Sequence, residues 1–124
     1  GFTVAPLQAS GTGSLLNPTN ITIYVSTAQP HYTWPIVDAA SNPVDLAAAS
    51  LTLTVKRQDG TTYLTLTKAA GGLTVGGVGS NEVTEQRTAA AVADRGAYTY
   101  ELRRTDAGFE QVLRYGAIEI TDPP

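Results

Sequence analysis

The chain has 124 residues, a hydrophobic share of 42%, a charged share of 15% and a formal net charge of −3. That is the size of one ordinary domain with enough apolar residues to build a core, which argues against a disordered chain. Cysteine is absent, which excludes a disulfide framework, a thiolate zinc site and a thiol nucleophile.

The charge pattern narrows the partners further. Lys56-Arg57 and Arg103-Arg104 are the only adjacent basic pairs, and acids are spread among them. A nucleic-acid surface needs clustered cations to displace counterions, so no nucleic-acid partner is expected. No apolar run approaches the roughly 20 residues that span a bilayer, so no membrane partner is expected either. Gly1-Phe2-Thr3-Val4-Ala5-Pro6 lacks the basic region and long apolar stretch of a signal peptide. The expectation is a chain complete as it stands after loss of an initiator Met, in which the sequon Asn20-Ile21-Thr22 is fortuitous.

Residues 1–19 mix Gly, Ser, Thr and Pro with short apolar pieces and follow neither a 3.6- nor a 2-residue period. Such a segment cannot bury enough surface to order itself. Its apolar residues Phe2, Val4, Leu7, Leu15 and Leu16 suit an extended N-terminal arm that docks on a neighbouring subunit.

From Asn20 the period becomes 2. Ile21, Ile23 and Val25 alternate with Thr22 and Tyr24, and Tyr32, Trp34 and Ile36 alternate with His31, Thr33 and Pro35. Pro35 has no N–H to donate, which predicts an edge or a bulge there. Asn42-Pro43 marks a turn after Asp38. Leu51, Leu53 and Val55 form the next apolar row, Gln58-Asp59-Gly60-Thr61 a hairpin turn, and Leu64 and Leu66 the returning row. Leu73 and Val75 follow Gly71-Gly72. The Gly-rich stretch 76–81 leads into Glu82–Arg87, polar enough to predict an edge strand. Thr88–Ala93 predicts one helical turn.

Tyr98, Tyr100 and Leu102 alternate in the next strand, and Thr105-Asp106-Ala107-Gly108 predicts a hairpin turn. The last strand is expected from Phe109 to Thr121. Leu113 and Tyr115 are in one phase and Ile118 and Ile120 in the other, which predicts a β-bulge at Gly116-Ala117.

Short alternating strands with regular turn signals and almost no helix predict an all-β antiparallel sandwich of about seven to eight strands. The stretch Asp94-Arg95-Gly96-Ala97-Tyr98-Thr99-Tyr100 selects the immunoglobulin-like version. Its spacing is that of the tyrosine corner, where a Tyr hydroxyl returns to the backbone a few residues upstream. Tyr100 falls where an antibody domain places a core cysteine. Trp34, Tyr98 and Tyr100 are therefore the expected structural core, and the expected division is an arm over 1–19 and a sandwich over 20–124.

No catalytic constellation is legible. His31 is the only histidine, and none of Ser10, Ser14, Ser26, Ser41, Ser50 or Ser80 lies in a nucleophile elbow, so His31 reads as an ordinary surface residue. Glu101, Glu110 and Glu119 fall on outward strand positions. Asp94 and Asp106 are single acids in separate turns, short of a Ca²⁺ site. Gly76-Gly77-Val78-Gly79 lacks the Lys and the following helix of a phosphate loop. The reading is therefore non-enzymatic, with no catalytic residue, no cofactor and no metal. Tyr24, Tyr63 and Tyr115 are the side chains that could stack on a host-surface glycan, which keeps a carbohydrate-binding module as a secondary alternative.

A set of motifs then occurs in order: Tyr32-Thr33-Trp34, Asp38 with Ser41–Leu46, Leu51–Arg57, Asp59-Gly60, Gly71–Val75, Gly96–Leu102 and Tyr115–Ile120. Over about Asn20 to Asp122 the chain resembles the immunoglobulin-like accessory domains of tailed-phage virions, including the N-terminal domain of upper baseplate proteins. The resemblance implies a virion structural protein, made in the host cytoplasm, that docks on other virion proteins and on copies of itself in a symmetric assembly. A tail, baseplate or fibre-adaptor component is the expectation, and a capsid decoration protein of the same fold is the alternative. The strand with Pro35, the Glu82–Arg87 strand and the Gly-rich loop are its candidate partner surfaces.

Overall fold

The computed structural model describes residues 17–124. Among the described residues eight strands run in chain order: β1 Ile21–Tyr24, β2 Thr33–Pro35, β3 Leu51–Lys56, β4 Thr62–Thr67, β5 Leu73–Gly76, β6 Glu82–Glu85, β7 Gly96–Arg104 and β8 Gln111–Thr121. A single 3₁₀ turn, Ala89–Val92, separates β6 from β7. The arm anchors Phe2, Val4, Leu7, Leu15 and Leu16 lie outside the described residues.

The strands form a five-stranded sheet in the order β1-β8-β7-β3-β4 and a three-stranded sheet in the order β2-β6-β5. β1 runs parallel to β8, and the other neighbours are antiparallel. In immunoglobulin lettering, β2, β6 and β5 stand where B, E and D do, β3, β7 and β8 where C, F and G do, and β4 where C′ does. The fold is an immunoglobulin-like β-sandwich.

Period-2 patterning explains the layers. In β3, Leu51, Leu53 and Val55 are buried while Thr52 and Thr54 face outward; in β7, Tyr98, Tyr100 and Leu102 are buried. β-Branched threonine suits the exposed, pleated face. Trp34, Leu46, Leu73, Val83, Val92 and Leu102 form the deepest part of the core between the sheets. Leu46 and Val92 come from a loop and the 3₁₀ turn, where no strand period marks them. The β3–β4 hairpin closes at Gly60, whose φ of +89° suits glycine. There Asp59 Oδ1 accepts from the Thr61 N–H and hydroxyl, and these hydrogen bonds hold its carboxyl below the ordinary carboxylate value.

Three expectations are corrected. Glu82–Arg87 does not form an edge: β6 is the central strand of its sheet. Its polarity is accommodated because Glu85 and Arg87, both buried, pair with each other. The bulge of the last strand is not at Gly116-Ala117. Leu102 pairs with Arg114 and Arg103 with Val112, so Leu113 is the extra residue, and the phase changes there. Leu113, Ile118 and Ile120 all face inward and Tyr115 faces out at 39% exposure. The strand itself begins at Gln111, with Phe109 in the preceding turn under the Arg104 guanidinium.

Candidate functional site

The tyrosine corner opens β7. The Tyr98 hydroxyl donates to the Asp94 carbonyl at 2.8 Å, four residues upstream. The ring stacks on Tyr63 with centroids 4.5 Å apart, and the Tyr63 hydroxyl accepts from the Asp94 N–H at 3.3 Å. Burial, and then the neighbouring Tyr63, push the Tyr98 phenol above its ordinary pKa. The corner thereby ties the loop before β7 to the edge strand β4.

One turn of the pleat further on, Tyr100 joins three parts of the molecule. Trp34 on β2 donates its indole N–H to the Tyr100 hydroxyl at 3.1 Å. That hydroxyl donates to the Thr19 carbonyl at 2.7 Å. Trp34 and Tyr100 stand on the B-like and F-like strands, where an antibody domain has its inter-sheet disulfide. A hydrogen bond between two buried rings, 5.6 Å apart, crosses the sandwich here instead. Desolvation pushes the Tyr100 phenol above its ordinary pKa, so the hydroxyl stays protonated and able to donate.

The last residues of the arm are held at this point. The Thr19 N–H donates to the Tyr115 carbonyl at 2.9 Å, and Asn20 Oδ1 accepts from the Ala117 N–H at 3.1 Å. Gly116 permits the approach: a Cβ there would lie 2.1 Å from the Thr19 carbonyl oxygen. Arg114 crosses to the other sheet and donates to the Pro35 carbonyl at 2.6 Å and to the Leu113 carbonyl at 2.7 Å. Its burial draws the guanidinium below its ordinary pKa. Thr19 and Gly116 carried no sequence signal beyond residue type, because the contact joins positions far apart in the chain.

A second polar cluster lies at the other end of β6. Glu85 accepts from the Tyr32 N–H at 2.6 Å and the Arg87 N–H at 3.1 Å, and it forms an ion pair with the Arg87 guanidinium. Arg87 Nε donates to the Thr27 carbonyl at 3.0 Å. The reading of His31 as an ordinary surface residue is corrected here: its side chain is only 20% exposed, and Nδ1 lies 3.8 Å from Glu85 Oε2. Opposite charges two residues apart in extended chain share a face, which is the signal that marks Glu85 and Arg87.

The remaining candidates are dispersed. Ser10 and Ser14 lie outside the described residues. None of Ser26, Ser41, Ser50 or Ser80 is hydrogen-bonded to His31; Ser26, Ser41 and Ser80 sit at positive φ in turns. Glu101 pairs with Arg103 at 3.0 Å and Asp106 with Arg104 at 2.9 Å, so each cation of the Arg103-Arg104 pair faces an acid. Glu110 accepts from the Gly108 N–H, and Glu119 is exposed on β8. Among the described residues no group of three or more His, Asp or Glu side chains converges as a metal site requires. Tyr24 and Tyr115 are exposed, but Tyr24 is in register with Thr121, six residues along β8 from Tyr115, and Tyr63 is stacked on Tyr98. These three rings do not form one platform. Among the described residues no helix is long and apolar enough to cross a membrane.

No family model matches the chain, and no curated protein matches it.

Proposed function

We propose that this chain is a non-enzymatic structural protein of a tailed-phage virion, which docks by its N-terminal arm and its sandwich edges on a symmetric scaffold as a tail, baseplate or fibre-adaptor component. The observation that carries the reading is the Tyr100 hydroxyl, which links both sheets to Thr19 at the root of the arm. A load taken up by the arm is passed directly to the rigid core, as a docking protein requires. The ordered resemblance over residues 20–122 supplies the virion context. The free edges supply further docking surface, because unpaired backbone groups are templates for pairing. Of the surfaces named from sequence, the Gly-rich loop presents Val78 fully to solvent, whereas β6 is interior to its sheet and has no free edge.

Labelling of intact virions tests this reading. An antibody against the chain, or a tag on its C-terminus, should mark the tail or baseplate in electron micrographs. A label on the head replaces the tail assignment with capsid decoration, and the absence of label from virions overturns the reading.

A further inference from the structure

Among the described residues β4 is the one long uncharged edge of the sandwich. Its six residues, Thr62–Thr67, contain neither charge nor proline, two of the devices that blunt an exposed edge, and its β-bulge falls at Tyr63, next to the hairpin end. The other edge strands are shorter. β2 has three residues, Pro35 lacks an N–H, and Arg114 occupies the Pro35 carbonyl. β5 has four residues and ends in glycine, and β1, also of four, is where the arm enters.

The ladder fixes which groups of β4 are open. The Lys68 N–H donates to the Leu51 carbonyl, so Leu66 and Leu64 continue that alternation toward β3, and Thr65 turns both its N–H and its C=O outward. The opening is bounded at both ends. Arg57 donates to the Thr62 carbonyl, and the Gly72 N–H takes the Thr67 carbonyl. Between them lie Tyr63, the extra residue of a β-bulge whose ring is stacked on Tyr98, and then Leu64, Thr65 and Leu66; both leucines are only half-buried, and Gly72 packs against Leu66. The regular part of the window is therefore Leu64–Leu66, with leucines on its inner side and Thr65 on its outer side.

We infer that the β4 edge receives residues Phe2–Ala5 of a neighbouring copy as an added antiparallel strand. Phe2 and Val4 match the inward row of Leu64 and Leu66, and Thr3 stands opposite Thr65, with which it exchanges two hydrogen bonds. Pro6 follows at once, and its missing N–H points away from β4 and blunts the new edge. Residues 1–16 have no charged side chain, like the edge that receives them. The point of entry favours a neighbour as the donor. Thr19 extends the β1–β8 ladder, so the chain comes in along the edge opposite β4, not across the sheet. From Pro6 to Asn17 an extended chain spans about 36 Å at about 3.3 Å per residue, enough to reach a neighbour's β4 and, across the five-stranded sheet's width of about 19 Å, its own, so the crosslinking below tells the two apart. Donor at one edge and acceptor at the other make a head-to-tail contact, which closes into rings or propagates. This inference deepens the arm docking proposed above and rests on that reading for its biological setting.

The absence of cysteine makes the contact directly testable in the full-length chain. Thr3→Cys and Thr65→Cys are prepared in separate chains, mixed and mildly oxidised. In a strand pair their Cα atoms come within disulfide range. The expected result is a mixed disulfide dimer formed roughly tenfold or more faster than with the outer-face control Thr99→Cys, as a raised effective concentration demands. No excess over that control overturns the inference. So does predominant Thr65–Thr65 crosslinking, which means that two β4 edges pair. So does closure of the double variant within one chain without mixed product, which means that each arm covers its own edge. Virion incorporation separates the two levels of the claim. If deletion of residues 1–16 prevents incorporation but Thr65→Pro, shown by circular dichroism to be folded, incorporates normally, the arm docks elsewhere and only this inference fails. A Thr3–Thr65 crosslink in a chain that labels no virion leaves this contact standing and overturns the virion reading.

Discussion

Two tyrosines two residues apart do different work. Tyr98 closes a local loop by donating to the Asp94 carbonyl, whereas Tyr100 accepts from Trp34 and donates to Thr19. Tyr98→Phe removes one hydrogen bond and should lower stability by about 1 kcal/mol in urea unfolding, without changing docking. Tyr100→Phe leaves the Trp34 indole N–H and the Thr19 carbonyl without their partner in the interior, so its cost should be larger, about 1–3 kcal/mol. Equal losses in the two variants would contradict this division. Both phenols have folded pKa values raised above the ordinary 10.0, chiefly by burial. Above that value the unfolded chain releases protons that the folded chain retains. This contribution to stability is therefore complete below about pH 10 and is lost as pH rises through the folded values. The urea midpoint should fall on going above pH 10, and it should fall less steeply in Tyr100→Phe; an unchanged slope would contradict the assignment.

At the scale of the elements, two close arrangements hold the layers in place. Gly116 lets the Thr19 carbonyl sit against β8, where a methyl group would meet backbone, not a side chain that could swing away. Gly116→Ala should cost about 1–3 kcal/mol, as other overpacked sites do. It should also raise the hydrogen-exchange rate of the Thr19 amide; unchanged protection of that amide would show that the arm root is not held here. Glu85 is buried with Arg87 on the central strand of the small sheet. Glu85→Ala leaves the guanidinium unpaired and should cost about 3–5 kcal/mol by urea unfolding, far more than Glu119→Ala on the exposed face. A small loss would mean that Arg87 reaches solvent in the folded protein. The alternating rows of β3, β4 and β7 were legible in the sequence because each residue's face follows from the pleat alone. The central place of β6 was not, because its polarity resembles an edge until Glu85 and Arg87 are seen to satisfy one another. The bulge was recognised from the change of phase in β8 but misplaced, since the glycine that suggested it serves the approach of Thr19.

At the scale of the whole molecule, the sandwich is asymmetric in what it offers. The small sheet ends in a short edge covered by Arg114, and the large sheet ends in β1 on the arm side and in the uncharged β4 on the other. The fold was legible from the corner at Asp94–Tyr100 together with the strand spacing. The relay from Trp34 through Tyr100 to Thr19 was legible only in part: the sequence marked the two rings as core, but not the carbonyl that receives the hydroxyl. Since Thr19 belongs to the hydrogen-bonded body, the segment to remove in a test of docking is 1–16, which leaves those bonds intact. The chain lacking residues 1–16, expressed alongside a virion genome deprived of the full-length gene, should give a folded domain by circular dichroism that is absent from purified particles. Incorporation of the shortened chain at the level of the full-length protein would contradict the account.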